Sequence, residues 1–157
     1  MLLATTVCYG KYLSQWHQAH FLRDQQRKTS AASMHFLKKF KIVGINEFLE
    51  ANRETLSKLS EKTQRIVKDK LLKWRVDPTY LKPKKMNRPA YGGFYMWEAR
   101  LTDKYRLRFA VSELQEIIVP ADVDLLHDDR NNTIDNLLRR TVHSFTAKIK
   151  DSIDVRL

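Results

Sequence analysis

Residues 95–111 read YMWEARLTDKYRLRFAV, and the way these side chains divide between two faces decides the fold. With Thr102, Asp103 and Lys104 as a three-residue loop, the flanking segments pair as an antiparallel hairpin in which Trp97, Ala99, Leu101, Tyr105, Leu107, Phe109 and Val111 share one face. Glu98, Arg100, Arg106 and Arg108 then share the other. A two-residue loop would scramble that division. In this register Glu98 faces Arg108, an attractive pair, and Arg100 faces Arg106, a repulsive one. Two opposed guanidinium groups either hold an anion between them, or splay into solvent and find carboxylates elsewhere.

Downstream, QEIIVPADV predicts a third strand of a meander, with Leu114 in the preceding turn. Pro120 has no N–H to give to a ladder, so it belongs at an edge or a bulge. LLHDDRNN follows, and His127 is the side chain here that exchanges a proton near neutral pH. Asp128 and Asp129 suit capping better than catalysis. A short helix through IDNLLRR follows, with Ile134, Leu137 and Leu138 turned to the core.

Upstream, LKPKKMNR over residues 81–88 is expected as a basic loop. It carries Lys82, Lys84, Lys85 and Arg88, and Gly92 and Gly93 give it a flexible corner from which to lie beside Arg100 and Arg106. Before it, Asn46 is expected to cap a helix beginning at Glu47, with Phe48, Leu49, Leu56 and Leu59 inward. Ser60 caps a second helix. Its buried stripe is Ile66, Val67, Leu71 and Trp74, and Pro78 stops it by disfavouring helical geometry in the residue ahead. HFLKKFKIV, up to Val43, is read as a first strand. Residues 1–33 have no sustained period and read as an N-terminal extension, either disordered or not native, with His17 and His20 an incidental pair rather than a metal site.

The chain has 157 residues, 43% of them hydrophobic, enough for one domain with its own core. Its single cysteine, Cys8, excludes an internal disulfide, and no Cys/His spacing suits zinc, so no cofactor or metal is expected. No stretch is long enough to span a bilayer, and a cytoplasmic location without membrane attachment is expected. The net charge of +11 is uneven: +3 over residues 1–33, +9 over 34–90, −3 over 91–130 and +2 over 131–157. A surface this basic attracts polyanions, either nucleic acid or acidic protein segments.

From about residue 47 to 130 the chain resembles the RelE/ParE superfamily of bacterial toxins from toxin-antitoxin modules. The likeness lies in FLEANRETLSKLSEKTQRIVKDKLLKWRVDP, LKPKKM and WEARLTDKYRLRFAV, with IIVPADVDLLHDD similar to a subgroup ending in His-Asp-Asp. It implies an α+β fold, an N-terminal helical hairpin packed on a small antiparallel sheet, within a toxin domain over residues 34–140 followed by a tail over 141–157. It further implies an endoribonuclease acting on translated messenger RNA, held in check by a cognate acidic antitoxin. Arg106 matches the arginine of the Tyr-Arg-Leu motif, Arg100 the basic residue closing the preceding strand, and His127 the zone of the C-terminal catalytic group. Lys82, Lys84, Lys85, Arg88 and Arg108 are the expected RNA contacts. Glu98 departs from the pattern, standing where the best-known nucleases carry a basic residue. The superfamily also holds noncatalytic gyrase inhibitors, and a plain nucleic-acid-binding module is the alternative from another class.

Overall fold

The computed structural model describes residues 35–125 and 131–154. The N-terminal extension, with His17 and His20, and the segment holding His127, Asp128 and Asp129 lie outside the described residues. The chain divides into two units, Met1–His35 and Phe36–Leu157, and every element below belongs to the second.

The hairpin forms in the expected register. Strand β3 (Phe94–Arg100) pairs antiparallel with β4 (Tyr105–Ser112), placing Glu98 opposite Arg108 and Arg100 opposite Arg106. In the loop, the Thr102 hydroxyl oxygen accepts from the amides of Lys104 at 3.2 Å and Tyr105 at 3.1 Å, which fixes the turn without a glycine. The third strand, β5 (Ile117–Leu125), pairs antiparallel with β4. Its register slips by one residue between Arg108 and Phe109, so that Arg108 faces Asp122 while Phe109 faces Pro120. That bulge accommodates the proline inside a paired strand.

The sheet is larger than a three-strand meander and mixed rather than antiparallel. With β1 (Lys41–Ile42) and β2 (Lys84–Lys85) added, its order is β1-β5-β4-β3-β2. Strand β1 runs parallel to β5, and β2 lies antiparallel to β3, with Lys84 opposite Glu98. The expected basic loop is thus partly an edge strand, and the expected first strand is much shorter than residues 34–43. The reason is local: Leu37 and Phe40 are both buried, a spacing of three that suits a helical turn, and Phe36 and Leu37 are helical.

Between β1 and β2 lie three helices, α1 (Ile45–Ala51), α2 (Arg53–Ser57) and α3 (Glu61–Val76). The first starts two residues earlier than expected, because Gly44 at φ 75° takes the cap position in place of Asn46. Asn52 separates α1 from α2. Its buried amide donates to the Phe48 carbonyl at 2.9 Å, and its Oδ1 accepts from the Val123 amide of β5 at 3.3 Å. Since β1 pairs with β5 only at Ile117 and Ile118, Asn52 serves a backbone group that β1 leaves uncovered. Ser60 caps α3 as expected, accepting from the Thr63 amide at 3.3 Å. Asp77, ahead of Pro78, is extended at φ −131° and ends the helix. Val67, Leu71 and Trp74 of α3 are buried, but Ile66 is 41% and Leu49 40% exposed, so the inward stripe is narrower than the apolar pattern suggested.

The two sheet faces carry separate cores. Trp97, Leu107, Phe109 and Val111 pack with Val67, Leu71 and Trp74 of α3. On the opposite face Phe94, Met96, Ala110 and Val119 pack under Ile134, Leu137, Leu138 and Val142 of α4 (Asn131–Asp154). The expected short helix is therefore 24 residues long and runs past residue 140. Removing a buried side chain that serves two backbone groups costs about 1–3 kcal/mol. Asn52→Ala is accordingly expected to lower stability by about that much in urea unfolding, with β5 amides beyond Pro120 exchanging faster; unchanged exchange there would contradict the role given to Asn52.

Candidate anion-binding site

The α4-covered face of the sheet is apolar only over its half next to Phe94. From Glu98 onward it changes character, because the alternation of β3 and β4 delivers Glu98, Arg100, Arg106 and Arg108 to that side. There Leu81, Lys82, Lys84, Glu98, Ala99, Arg100 and Arg106 line a cavity of about 340 Å³. Four cationic side chains surround one carboxylate.

Glu98 pairs with two of them, Lys84 and Arg106. One oxygen lies 3.3 Å from Lys84 Nζ and the other 3.1 Å from Arg106 Nη1, and its side chain is only 8% exposed. The sequence register paired Glu98 with Arg108, yet the ion pair forms diagonally with Arg106. Arg106 thereby finds a carboxylate while keeping its place opposite Arg100. Arg100 is exposed and has no side-chain partner among the described residues. Arg106 thus takes the second alternative by finding a carboxylate, and Arg100 stays exposed to solvent.

Lys82 reaches the cavity from a left-handed backbone conformation, φ 50°. Its amide donates to the Thr79 carbonyl at 2.9 Å in the turn after α3. A non-glycine residue in this region costs about 1–2 kcal/mol, so the lysine is held at some expense where glycine would sit more easily.

The other expected contacts are placed differently. Arg108 is turned inward, its side chain 5% exposed; its Nε donates to Asp122 Oδ1 at 2.8 Å, and its Nη2 bonds both Asp122 and Asp124. Burial raises the Asp122 carboxyl above its ordinary range, and Arg108 pulls against that rise. Arg108 is therefore a crosslink between β4 and β5 and not part of the cavity wall. Arg88 donates from Nε to Asp135 Oδ1 of α4 at 3.0 Å, and Lys85 Nζ lies 3.6 Å from the centre of the Tyr95 ring. Together with Lys84 they line an adjoining cavity of about 260 Å³, which shares Lys84 and Glu98 with the first.

Chemically the main cavity can hold an anion and stabilise charge developing on phosphate oxygens, since arginine and lysine donate and do not accept. Among the described residues no three His, Cys, Asp or Glu are grouped as a metal site. No helix there is long and apolar enough to cross a membrane. Sequence reasoning missed Asp122, Asp124 and Asp135 as arginine partners. The first two were hidden by the bulge, which shifts the facing residue by one, and the third by the long loop between β2 and β3.

No protein-family model matches the chain, and no curated protein matches it. A solved structure of an archaeal RelE-RelB complex from Pyrococcus horikoshii OT3 is similar at a TM-score of 0.40 and 16% identity, over 57% of this chain and 98% of that one. At that level neither activity nor partner carries over.

Breaking a buried ion pair by removing one member costs about 3–5 kcal/mol. Arg108→Ala is expected to lose that order of stability, seen as an early urea midpoint; wild-type stability combined with weakened anion binding would place Arg108 in the site instead. Arg88, by its hydrogen bond, holds the Asp135 carboxyl below its ordinary value of 3.8. The folded pKa is depressed, so the stabilisation is complete above that ordinary value and is lost as pH falls through the folded one. Thermal unfolding followed below pH 3.8 should therefore show an acid decline that is smaller in Asp135→Asn; equal declines would remove this pair from the account.

Proposed function

We propose that the chain is a RelE-like toxin that cleaves translated messenger RNA and is neutralised by an acidic antitoxin covering its cationic cavity. The observation that carries the reading is the convergence of Lys82, Lys84, Arg100 and Arg106 on one concave site, around a single carboxylate. The resemblance of the hairpin residues to the superfamily points the same way. Cleavage of RNA by its own 2′-hydroxyl passes through a phosphorane whose charge Arg100 and Arg106 would stabilise. Lys82 and Lys84 would hold the neighbouring phosphates. Arginine is a poor base, so the proton transfers fall to His127.

A second reading has an observation of its own in its favour. Glu98 already engages Arg106 and Lys84, and the described cavity wall contains no histidine. That arrangement suits a noncatalytic inhibitor of the gyrase-directed kind, or a plain nucleic-acid-binding module.

Controlled expression of the chain beside Arg106→Ala and His127→Ala, with growth curves and primer extension on a translated messenger, separates these readings. A nuclease gives growth arrest and new 5′ ends, with cleavage falling roughly 100-fold or more in either variant. Arrest without new ends supports gyrase or another target, and no arrest supports a binding module.

A further inference from the structure

The anion cavity does not end at Arg106. Through Lys84 and Glu98 it continues into the second cavity, along β2 to Arg88. Arg88 bonds Asp135, and from there Arg139 and His143 follow at intervals of four on the same face of α4, a helical rise of about 12 Å between Asp135 and His143. His143 is exposed yet held in place: its Nε2 lies 2.8 Å from the Tyr91 hydroxyl, with the two ring centroids 5.5 Å apart. Arg139 acts through its charge on the Asp135 carboxyl, which Arg88 also binds, and its guanidinium carbon lies 5.8 Å from the centre of the Tyr91 ring. Two aromatic rings and the Arg139 guanidinium thus meet at the far end of a row of basic side chains, Lys84, Arg88 and Arg139, interleaved with Glu98 and Asp135.

Tyr91 bridges to Phe94, six residues before Arg100 along β3. At about 3.4 Å per residue, roughly 20 Å separates this cluster from the opposed arginines. That is too far for proton transfer at a phosphate held there, and suits a span of several nucleotides.

We infer that His143, oriented by Tyr91 and flanked by Arg139, is a base-stacking subsite for the single-stranded RNA whose phosphates the cavity holds. The inference rests on the reading of the cavity as an RNA site and adds a second contact point, one that grips a base where the cavity grips phosphate. Stacking on an aromatic ring is tolerant of base identity, so the subsite contributes affinity and register more than sequence choice.

The test uses the full chain and a labelled single-stranded oligoribonucleotide of roughly ten nucleotides, with affinity read by fluorescence anisotropy. One abasic position, moved along the oligonucleotide, should weaken wild-type binding about tenfold at a single place. His143→Ala should lose about the same factor and become insensitive to the abasic substitution, while His143→Phe, which keeps a ring, should recover most of the affinity. His143 is exposed, so thermal unfolding of both variants should match wild type. If Arg106→Ala loses binding but His143→Ala does not, or if the abasic penalty persists in His143→Ala, the stacking subsite is wrong and the cavity reading stands. If wild type fails to bind, or Arg106→Ala leaves its affinity unchanged, both fall together.

Discussion

Arg100 and Arg106 face each other because a sheet has a period of two and the Thr102 hydroxyl closes the hairpin in one register. Slipping either strand by one residue would send the arginines into the α3 core and bring Leu107 to the surface. The hydrophobic division of the hairpin therefore enforces an electrostatic arrangement that is unfavourable in itself. Glu98 relieves half of it by pairing with Arg106, and Arg100 remains exposed to whatever anion arrives. Around that fixed pair, β2 adds Lys84 and the turn after α3 adds Lys82.

The charges on this face divide by depth. Arg108, one turn of the pleat from Arg106, is buried with Asp122 and Asp124 and ties β4 to β5. Arg88 ties the chain after β2 to α4 through Asp135. Both arginines have carboxylate partners that offset their charge, whereas the cavity has four cations and one acid. Net charge alone would not separate these groups; burial and partner count do. The same long helix that covers the apolar half of the face brings Asp135, Arg139 and His143 to its rim, so the second core and this polar row share one support.

Much of this was legible in the sequence wherever a period was strong. The hairpin register followed from alternation over residues 95–111, the start of α3 from Ser60, its end from Pro78, and the bulge from a proline within a strand. Other features turned on contacts between segments distant in sequence. The pairing of β1 with β5 depends on two residues against a partner some 75 positions away, and the β2 edge on lysines with no strand pattern. Arg108 looked like a surface cation because the register of the hairpin was readable and that of β5, shifted by the bulge, was not. The α4 helix looked short because its apolar positions beyond residue 140 are spaced among polar ones.

Arginine side-chain NMR during a titration with inorganic phosphate reads each guanidinium separately and so tests whether Arg100 and Arg106 bind one anion between them. The Nε–Hε signals of Arg100 and Arg106 should move together along one saturating curve while that of Arg108 stays still. Movement of Arg108, or the absence of a shared response at Arg100 and Arg106, would contradict that shared site.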